Sequence, residues 1–502
     1  MQESQSIFDR QLKKNFLYNA VFQLVIFLYP LLLSPYLSRI LGPVGVGQYN
    51  YTFTIASYFG MVCLLGIGTY GNRECAVCRS DKRRLSKTFW SIYAVQLIAS
   101  VVALASFSIY FLAFSGPYRA LFAIQYILVL SSVLDITWFF YGLEQFQNVV
   151  LRNVVLRICV MASVFLFVKA PEDVWKYCMC TAVAYAVANL SMWPYAARYI
   201  EKVKIEPLDI IKHIKPALYL FIPVLGINIY AGVDKLMLES MVGVESVGFY
   251  SNAEGLCKFP YGIVTALSTV ILPRISHLSS THRIEKGNKI YQQAFEKTIQ
   301  VTMFLAFPIC IGIAAIAPEM VPWYYTTSFM PCIRLIQQLS VLVLFAAWTN
   351  AIQSHYIVPL NMDRVLIQSS IIALFLNIGV NYVLIRRYGV YGAAYGTVIT
   401  EIVVLIYKTW SVRPFVDCWS AIKKVIPYVL ASVVMFVAVR WVGERLQATT
   451  VKTTIIEVAS GMLCYACICG IWFGLCKIWT RIKNKKEDTH EKNCISGTGL
   501  PF

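Results

Sequence analysis

Long stretches of this chain run without a single Asp, Glu, Lys or Arg: 15–38, 40–72, 88–118, 177–197, 298–318, 335–362 and 365–385. Wound as helices at about 1.5 Å per residue, each reaches across a hydrocarbon core of about 30 Å. Inside lipid every backbone N–H and C=O must find a partner within the protein, which leaves only helices or closed barrels. The alternating segments of a barrel, about ten residues each, are absent, so the spans are helical. Composition agrees. Of 502 residues, 58% are hydrophobic and 14% charged, with mean hydropathy +0.62, too little charge for a soluble chain of this length.

Breaks at polar, Gly and Pro residues predict about fourteen helices. They fall near 15–39, 48–71, 88–114, 119–143, 148–169, 174–197, 215–237, 247–273, 294–317, 331–356, 364–386, 390–412, 422–441 and 454–478. The division at 144–150, through LEQFQN, is the hardest to place. With the N-terminus in the cytoplasm, most of the 44 basic residues fall in cytoplasmic segments: Arg73 to Lys87, Arg198 to Lys215, Arg274 to Lys289, Lys408 to Lys424 and the tail from Lys477. An even number of spans returns the C-terminus to the same side. The net charge of +18 then reads as a topology signal with attraction to anionic headgroups; scattered over many loops, it argues against nucleic acid as a partner.

The first apolar run is too long for a cleaved signal and has no small-residue cleavage site, so it reads as a retained span. FDRQLKKNF before it is either an interfacial helix or a positive flank. Most of the 15 cysteines lie within spans as small apolar residues, and Cys75-x-x-Cys78 has neither a second CxxC nor a nearby His pair, so neither metal nor cofactor is expected. There is no P-loop, HExxH or GxSxG, the five histidines are dispersed, and the far-side loops are short. Transport is expected rather than catalysis.

The chain repeats itself. SRILGPVGVGQYN at 38–50 and ESMVGVESVGFYS at 239–251 align at an offset of 201, placing Gly42 on Gly243, Val46 on Val247, Gly47 on Gly248 and Tyr49 on Tyr250, with Tyr29 and Tyr230 in register one helix earlier. Six spans separate the copies, so both have the same orientation: a parallel repeat about an axis along the membrane normal. The expected fold is all-α and polytopic, two pseudo-symmetric six-helix lobes around a central cavity plus two C-terminal helices. The lobes would be 1–200 and 201–414, followed by spans 13 and 14 over 415–480 and a basic tail over 481–502. The glycines, with Gly392-x-x-x-Gly396, would let hairpins turn and helices approach closely.

Three stretches carry a resemblance: SPYLSRILGPVGVGQYNYTFTIASYFG followed by GTYGNREC; VGFYSNAEGLCKFPYGIVTALSTVILPRIS; and YGVYGAAYGTVITEIVVLIYK. Together they resemble the Wzx/RfbX-type oligosaccharide flippases, a family of the MOP superfamily that also holds the MATE exporters and lipid II flippases. The resemblance spans nearly the whole chain and is specific for the family rather than the substrate. It implies fourteen spans and an alternating-access carrier. The cargo would be an undecaprenyl-pyrophosphate-linked oligosaccharide, moved from the cytoplasmic to the outer leaflet of the bacterial plasma membrane for capsule, O antigen or a similar polymer. Membrane lipids, a polymerase and glycosyltransferases would be its surroundings, and a monomer its state.

Charges stranded in spans cost about 2.5 to 3.5 kcal/mol each on insertion scales and tend to face a cavity or a partner. Arg39, Arg157, Lys235 and Lys258 are candidates for holding pyrophosphate by charge and forked hydrogen bonds; Arg39, near the external end, could equally snorkel to the interface. Lys297 and Arg334 are stranded too, the former at a cytoplasmic flank. Asn50, Asn228, Gln23, Tyr29 and Tyr230 could meet sugar hydroxyls and ring faces, or pack and bond between helices. Glu254, Asp135 and Asp234 are the candidates for ion coupling; Glu401 is a further acidic residue within a span. Glu254 and Lys258, four apart, share a helix face as an ion pair, while a carboxylate in a low-dielectric cavity can change charge state as the cavity opens. The competing function is a MATE-like exporter of small organic cations, which would have an acidic lobe cavity and about twelve spans.

Overall fold

The computed structural model describes residues 2–260, 262, 289–360 and 362–496, with side chains over 28–475 apart from 223, 227 and 289–291. Residues 263–288 fall outside it. With them go the end of the second resemblance stretch and most of the loop from Arg274 to Lys289; the side chain of Gln23 is likewise outside the described residues.

Among the described residues every regular element is a helix. In chain order they are α1 (Gln2–Leu64), α2 (Ile67–Cys78), α3 (Lys82–Phe114), α4 (Arg119–Val133), α5 (Thr137–Gly142), α6 (Phe146–Phe167), α7 (Val174–Ser191) and α8 (Trp193–Ala196). There follow α9 (Pro207–Met241), α10 (244–260), α11 (Lys289–Tyr324), α12 (Pro331–Leu339), α13 (Leu342–Ile352), α14 (Asp363–Tyr388), α15 (Val390–Val412), α16 (Cys418–Leu446) and α17 (Val451–Ser496). FDRQLKKNF continues α1 without a break, and the basic tail continues α17 to Ser496.

Among the described residues, ten helices are long and apolar enough to cross a membrane, or eleven if the bent α9 counts as one span. This is a multi-pass membrane protein. The expected fourteen is not reached by that measure, for local reasons. The stretch Leu28–Cys78 counts once although it is broken at Gly42. The α7 helix, with Lys176 and Asn189 in its 18 residues, is not among the ten, and α10 runs to the edge of the described residues.

Gly42 decides the geometry of one end of the bundle. Its φ of 64° and ψ of −179° lie where only glycine sits without strain. It bends α1 into two arms, 2–41 and 43–64, with no loop between them, and Pro43 opens the second arm with φ already set. The counterpart Gly243, at φ 123°, does the same between α9 and α10. The second arm starts earlier than 48 for this reason. It ends at Leu64 rather than near 71, because Leu65 (φ 41°) and Gly66 (φ 71°) interrupt the helix before α2.

At that distal end the two copies meet. A Cβ placed on Gly47 would stand 1.9 Å from the carbonyl oxygen of Val244, and one on Gly248 would stand 2.0 Å from that of Pro43. Pro43 and Val244 are themselves counterparts at the same offset, so the contact is reciprocal, the signature of a two-fold relation. Around it Asn252 Nδ2 donates to Ser38 Oγ (2.8 Å), Tyr325 Oη to the Asn252 carbonyl (3.0 Å), and Tyr324 Oη to the Leu31 carbonyl (2.9 Å). One buried apolar cluster takes Leu37, Leu41 and Val46 from α1 together with Val247, Ala253 and Cys257 from α10, so the repeats share a core here.

Elsewhere the packing is more local. The α1, α3, α4, α6 and α7 helices pack among themselves, α9 packs with α14 and α15, and α16 and α17 pack on each other and on α11. The α9 helix also touches the first half: Tyr58 Oη donates to the Ile229 carbonyl (3.1 Å), and Tyr70 Oη lies 2.6 Å from His213 Nδ1. Asp81 and Asp417 each start a helix by accepting two backbone N–H groups, at α3 and α16.

Gly47→Val or Gly248→Val should lower membrane abundance several-fold, because backbone occupies the space a side chain would need. Fluorescence-detected gel filtration of tagged variants measures this, and wild-type abundance in both would contradict the packing.

Candidate functional site

A cavity of about 490 Å³ opens between α9, α10, α13, α14 and α15. Its charged wall is Asp234, Glu254, Lys258, Glu401 and Lys408, with Tyr230 beside them. It lies within the second half, and no residue before Gly226 lines it. Three carboxylates against two ammonium groups make its wall mixed in charge, not the uniformly cationic chamber the stranded lysines suggested.

The reason is that the carboxylates claim the lysines. Glu254 is buried, and a lone buried carboxylate is costly unless paired. Its Oε1 holds Lys258 Nζ at 2.6 Å, the i,i+4 pair expected on one helix face, and its Oε2 holds Lys235 Nζ at 3.1 Å from α9. Lys235 is enclosed, with 17% of its side chain exposed, whereas Lys258 keeps 58% and faces the cavity. One carboxylate between two ammonium groups leaves one positive charge in excess, presented by Lys258.

Asp234 stands in a different environment. It is 3% exposed, and neutral donors surround it: Tyr250 Oη at 2.8 Å, Thr397 Oγ1 at 3.1 Å and Asn381 Nδ2 at 2.5 Å. Asn381 Nδ2 also reaches Asn377 Oδ1 at 3.1 Å, while Asn381 Oδ1 and Asn377 Nδ2 have no partner. Local sequence sets this up. The Gly243 turn folds α10 back so that Tyr250 faces Asp234, and Gly389, at φ 60°, does the same between α14 and α15. Gly396 then makes room: a Cβ there would stand 1.9 Å from Asn381 Oδ1. Farther along the wall Tyr230 Oη donates to Glu401 Oε1 (2.7 Å) and Lys408 Nζ to Gln353 Oε1 (3.0 Å), in the single π-helical turn Gln353–Ile357.

The other sequence candidates lie apart from this cavity. Arg39 is exposed at the distal joint, where Nη2 donates to the Trp323 carbonyl at 2.6 Å. Arg157 sits 5.0 Å from the centroid of the Tyr29 ring, and no carboxylate among the described residues pairs with it. Asn50 and Asn228 each return their amide to the carbonyl four residues back, Val46 and Val224, at 2.8 Å. Asp135 accepts from the Thr137 backbone N–H (2.9 Å) and hydroxyl (2.7 Å), with Arg152 Nη1 at 3.9 Å, and so fastens the start of α5. Sequence reasoning passed over Asn377, Asn381 and Thr397. The signal was present: two asparagines four apart in the apolar run LFLNIGVNYVLI share a helix face.

With this geometry in view, the comparisons with known proteins are informative. The family model described as polysaccharide biosynthesis protein matches residues 12–279, more than half the chain. The chain belongs to that family. Among curated relatives, this polysaccharide biosynthesis protein is 19% identical to a putative O-antigen transporter of Shigella dysenteriae, over 80% of this chain and 100% of the relative. It is 23% identical to a putative O-antigen transporter of Escherichia coli K12, over 55% of this chain and 67% of the relative. Among solved structures it shares the fold of the lipid II flippase MurJ in an inward closed conformation, with TM-score 0.70 and 16% identity over 91% of this chain and 98% of that one. An inward-facing MATE family multidrug transporter of the MOP superfamily follows at TM-score 0.58 and 16% identity, over 78% and 97%.

Removing the Tyr250 hydroxyl takes a donor from a buried carboxylate, so Tyr250→Phe should cost about 1.5 to 3 kcal/mol. A double-mutant cycle with Asp234→Asn, read by thermal unfolding of the purified protein, should recover most of that loss as coupling. Additive effects would show that the hydroxyl stabilises something else.

Proposed function

We propose that the protein flips a lipid-linked oligosaccharide, carried on undecaprenyl pyrophosphate, from the cytoplasmic to the outer leaflet of the bacterial plasma membrane. The observation that carries the reading is the family match over half the chain, joined by an O-antigen transporter relative aligned over its whole length. The cargo would serve a surface polymer such as capsule or O antigen, and both termini would be cytoplasmic, as the distribution of basic residues favours.

In this proposal the two halves, 1–200 and 201–414, rock about the distal joint and expose a space between them to either face in turn. Lys258, with its excess charge, and Arg157, which no carboxylate among the described residues pairs with, are the cations offered to the diphosphate. Arg39 belongs to the joint and would act on opening rather than on binding. Tyr29, Tyr230, Asn50 and Asn228 stay as candidate sugar contacts. Of the three coupling candidates Asp234 is the strongest: Glu254 is neutralised by two lysines and Asp135 fastens a helix, whereas no cation among the described residues forms an ion pair with Asp234. A proton or metal cation arriving there would remove the cost of a bare buried charge, and its loss would restore that cost.

A second reading, export of small organic cations, draws support from the three carboxylates of the cavity wall. Against it stand Lys258, Lys408 and the appended α16 and α17. Deletion of the gene separates the two. The first reading expects a lipid-linked glycan, identified by mass spectrometry, to accumulate on the cytoplasmic leaflet, with full rescue by the wild type. Normal surface polymer in the deletion strain would refute it.

Lys258→Ala should cut flipping about tenfold or more at unchanged abundance, the scale of one lost charge-assisted contact. Lys235→Ala should act more weakly, because Lys258 still neutralises Glu254. Leaflet-resolved assay of the lipid-linked glycan measures both, and full activity in the pair would remove the anion contact.

A further inference from the structure

A second polar cluster lies far from the cavity, where the distal ends of α11 and α16 meet the start of α17. Glu319 on α11 is bound by Arg440 on α16, whose Nη1 lies 2.9 and 2.8 Å from its two carboxylate oxygens. Arg440 Nη2 is 3.5 Å from Glu444, which is 71% exposed. Glu457 on α17 is 0% exposed, and neither of its carboxylate oxygens has a hydrogen-bond donor. It lies beside Glu319, across Gly443. Gly443 makes the meeting possible: a Cβ there would stand 2.2 Å from Glu457 Oε1 and 3.0 Å from Glu319 Oε1.

Charge decides what the cluster holds. With every group ionised, Glu319, Glu444 and Glu457 outnumber Arg440 by two. Arg440 is spent on Glu319 and Glu444; Lys452 on α17 is exposed, and Arg445 on α16 lies over the Trp441 ring. Two carboxylates that face each other without a donor between them cannot both stay charged, but one proton turns repulsion into an O–H···O⁻ bond. A route for it exists. A cleft of about 610 Å³, lined by Glu319, Gly443, Glu444 and Thr449 among others, reaches the α16–α17 connection at the distal face.

We propose that Glu457 and Glu319 form a proton-binding site, loaded from the distal aqueous face, with the proton on Glu457 donated to Glu319. It is separate from the cavity and from Asp234. The site ties α17 to α11 and α16, so loss of the proton places two adjacent negative charges at the seam of the appended helices. Stability should fall as pH rises, because the folded protein keeps a proton that the unfolded chain releases.

Infrared difference spectroscopy of the full-length protein in lipid nanodiscs, stepped from acidic to alkaline buffer, tests this. The expected result is a protonated-carboxyl C=O band that shifts in D2O, disappears at alkaline pH and is absent in Glu457→Gln, which should also lose the alkaline fall in melting temperature. Glu319→Gln removes the facing negative charge and offers an amide donor in its place, so its band should disappear at lower pH than in the wild type, and it decides the matter should Glu457→Gln fail to fold. Absence of the band from the wild type, its persistence unchanged in both variants, or its replacement by stoichiometric binding of Na⁺ or Ca²⁺ would overturn the proposal.

Discussion

Two backbones touching at glycine is the constraint on which this structure depends. Where Gly47 and Gly248 cross, each leaves room for a carbonyl of the opposite repeat, and no side chain could stand between them. The turns at Gly42 and Gly243 interrupt the chain just before each crossing. Membrane helices gain little from burying apolar surface against one another, since lipid is equally apolar; close contact and interhelical hydrogen bonds hold them instead. The distal joint has both, in the glycine crossing and in the bonds among Ser38, Asn252, Tyr324 and Tyr325.

The internal charges sort by whether they are answered. Glu254 is answered twice, Glu319 by Arg440, and Glu296 by Lys424 and Ser420. Among the described residues no cation is in contact with Asp234 or Glu457, although both are buried. Charge neutralised in place rigidifies, whereas charge left uncompensated in low dielectric needs a mobile partner from outside. One of the two sits on the cavity wall and the other on the appended α17, where it meets α11 and α16.

Much of this was legible in the residues. The Gly-x-x-x-Val-Gly-x-Tyr copies marked two tight turns, and breaks at polar, Gly and Pro residues located α6, α14, α15 and α16 to within a few residues. The break at Leu64 was not legible, because Leu65 adopts a left-handed φ that its type does not advertise. Among the charges, position within a span was readable and so was the Glu254–Lys258 pair on one helix face, but partnership between helices was not. Lys235 and Lys258 look alike in sequence, and only the fold of α10 against α9 shows both on Glu254. Arg39 reads as a cavity cation or an interfacial one, yet it binds a carbonyl 284 residues away. Asn377, Asn381 and Thr397 were overlooked because neutral polar residues in spans are common, and what gathers them is a hairpin turn at Gly389.

The repeat also shows what duplication kept and what it let diverge. Tyr49 and Tyr250 occupy equivalent places, but Tyr250 donates to Asp234 whereas Tyr49 lies 4.0 Å from the Tyr177 ring. At the same offset Leu33 stands where Asp234 does, Phe53 where Glu254 does and Ser57 where Lys258 does. The mechanical residues survive in both copies and the ionisable ones in only one. Around the joint, then, the two halves are alike in shape and unlike in charge: the ionisable wall that α9 and α10 give to the cavity has no counterpart at the same offset in α1.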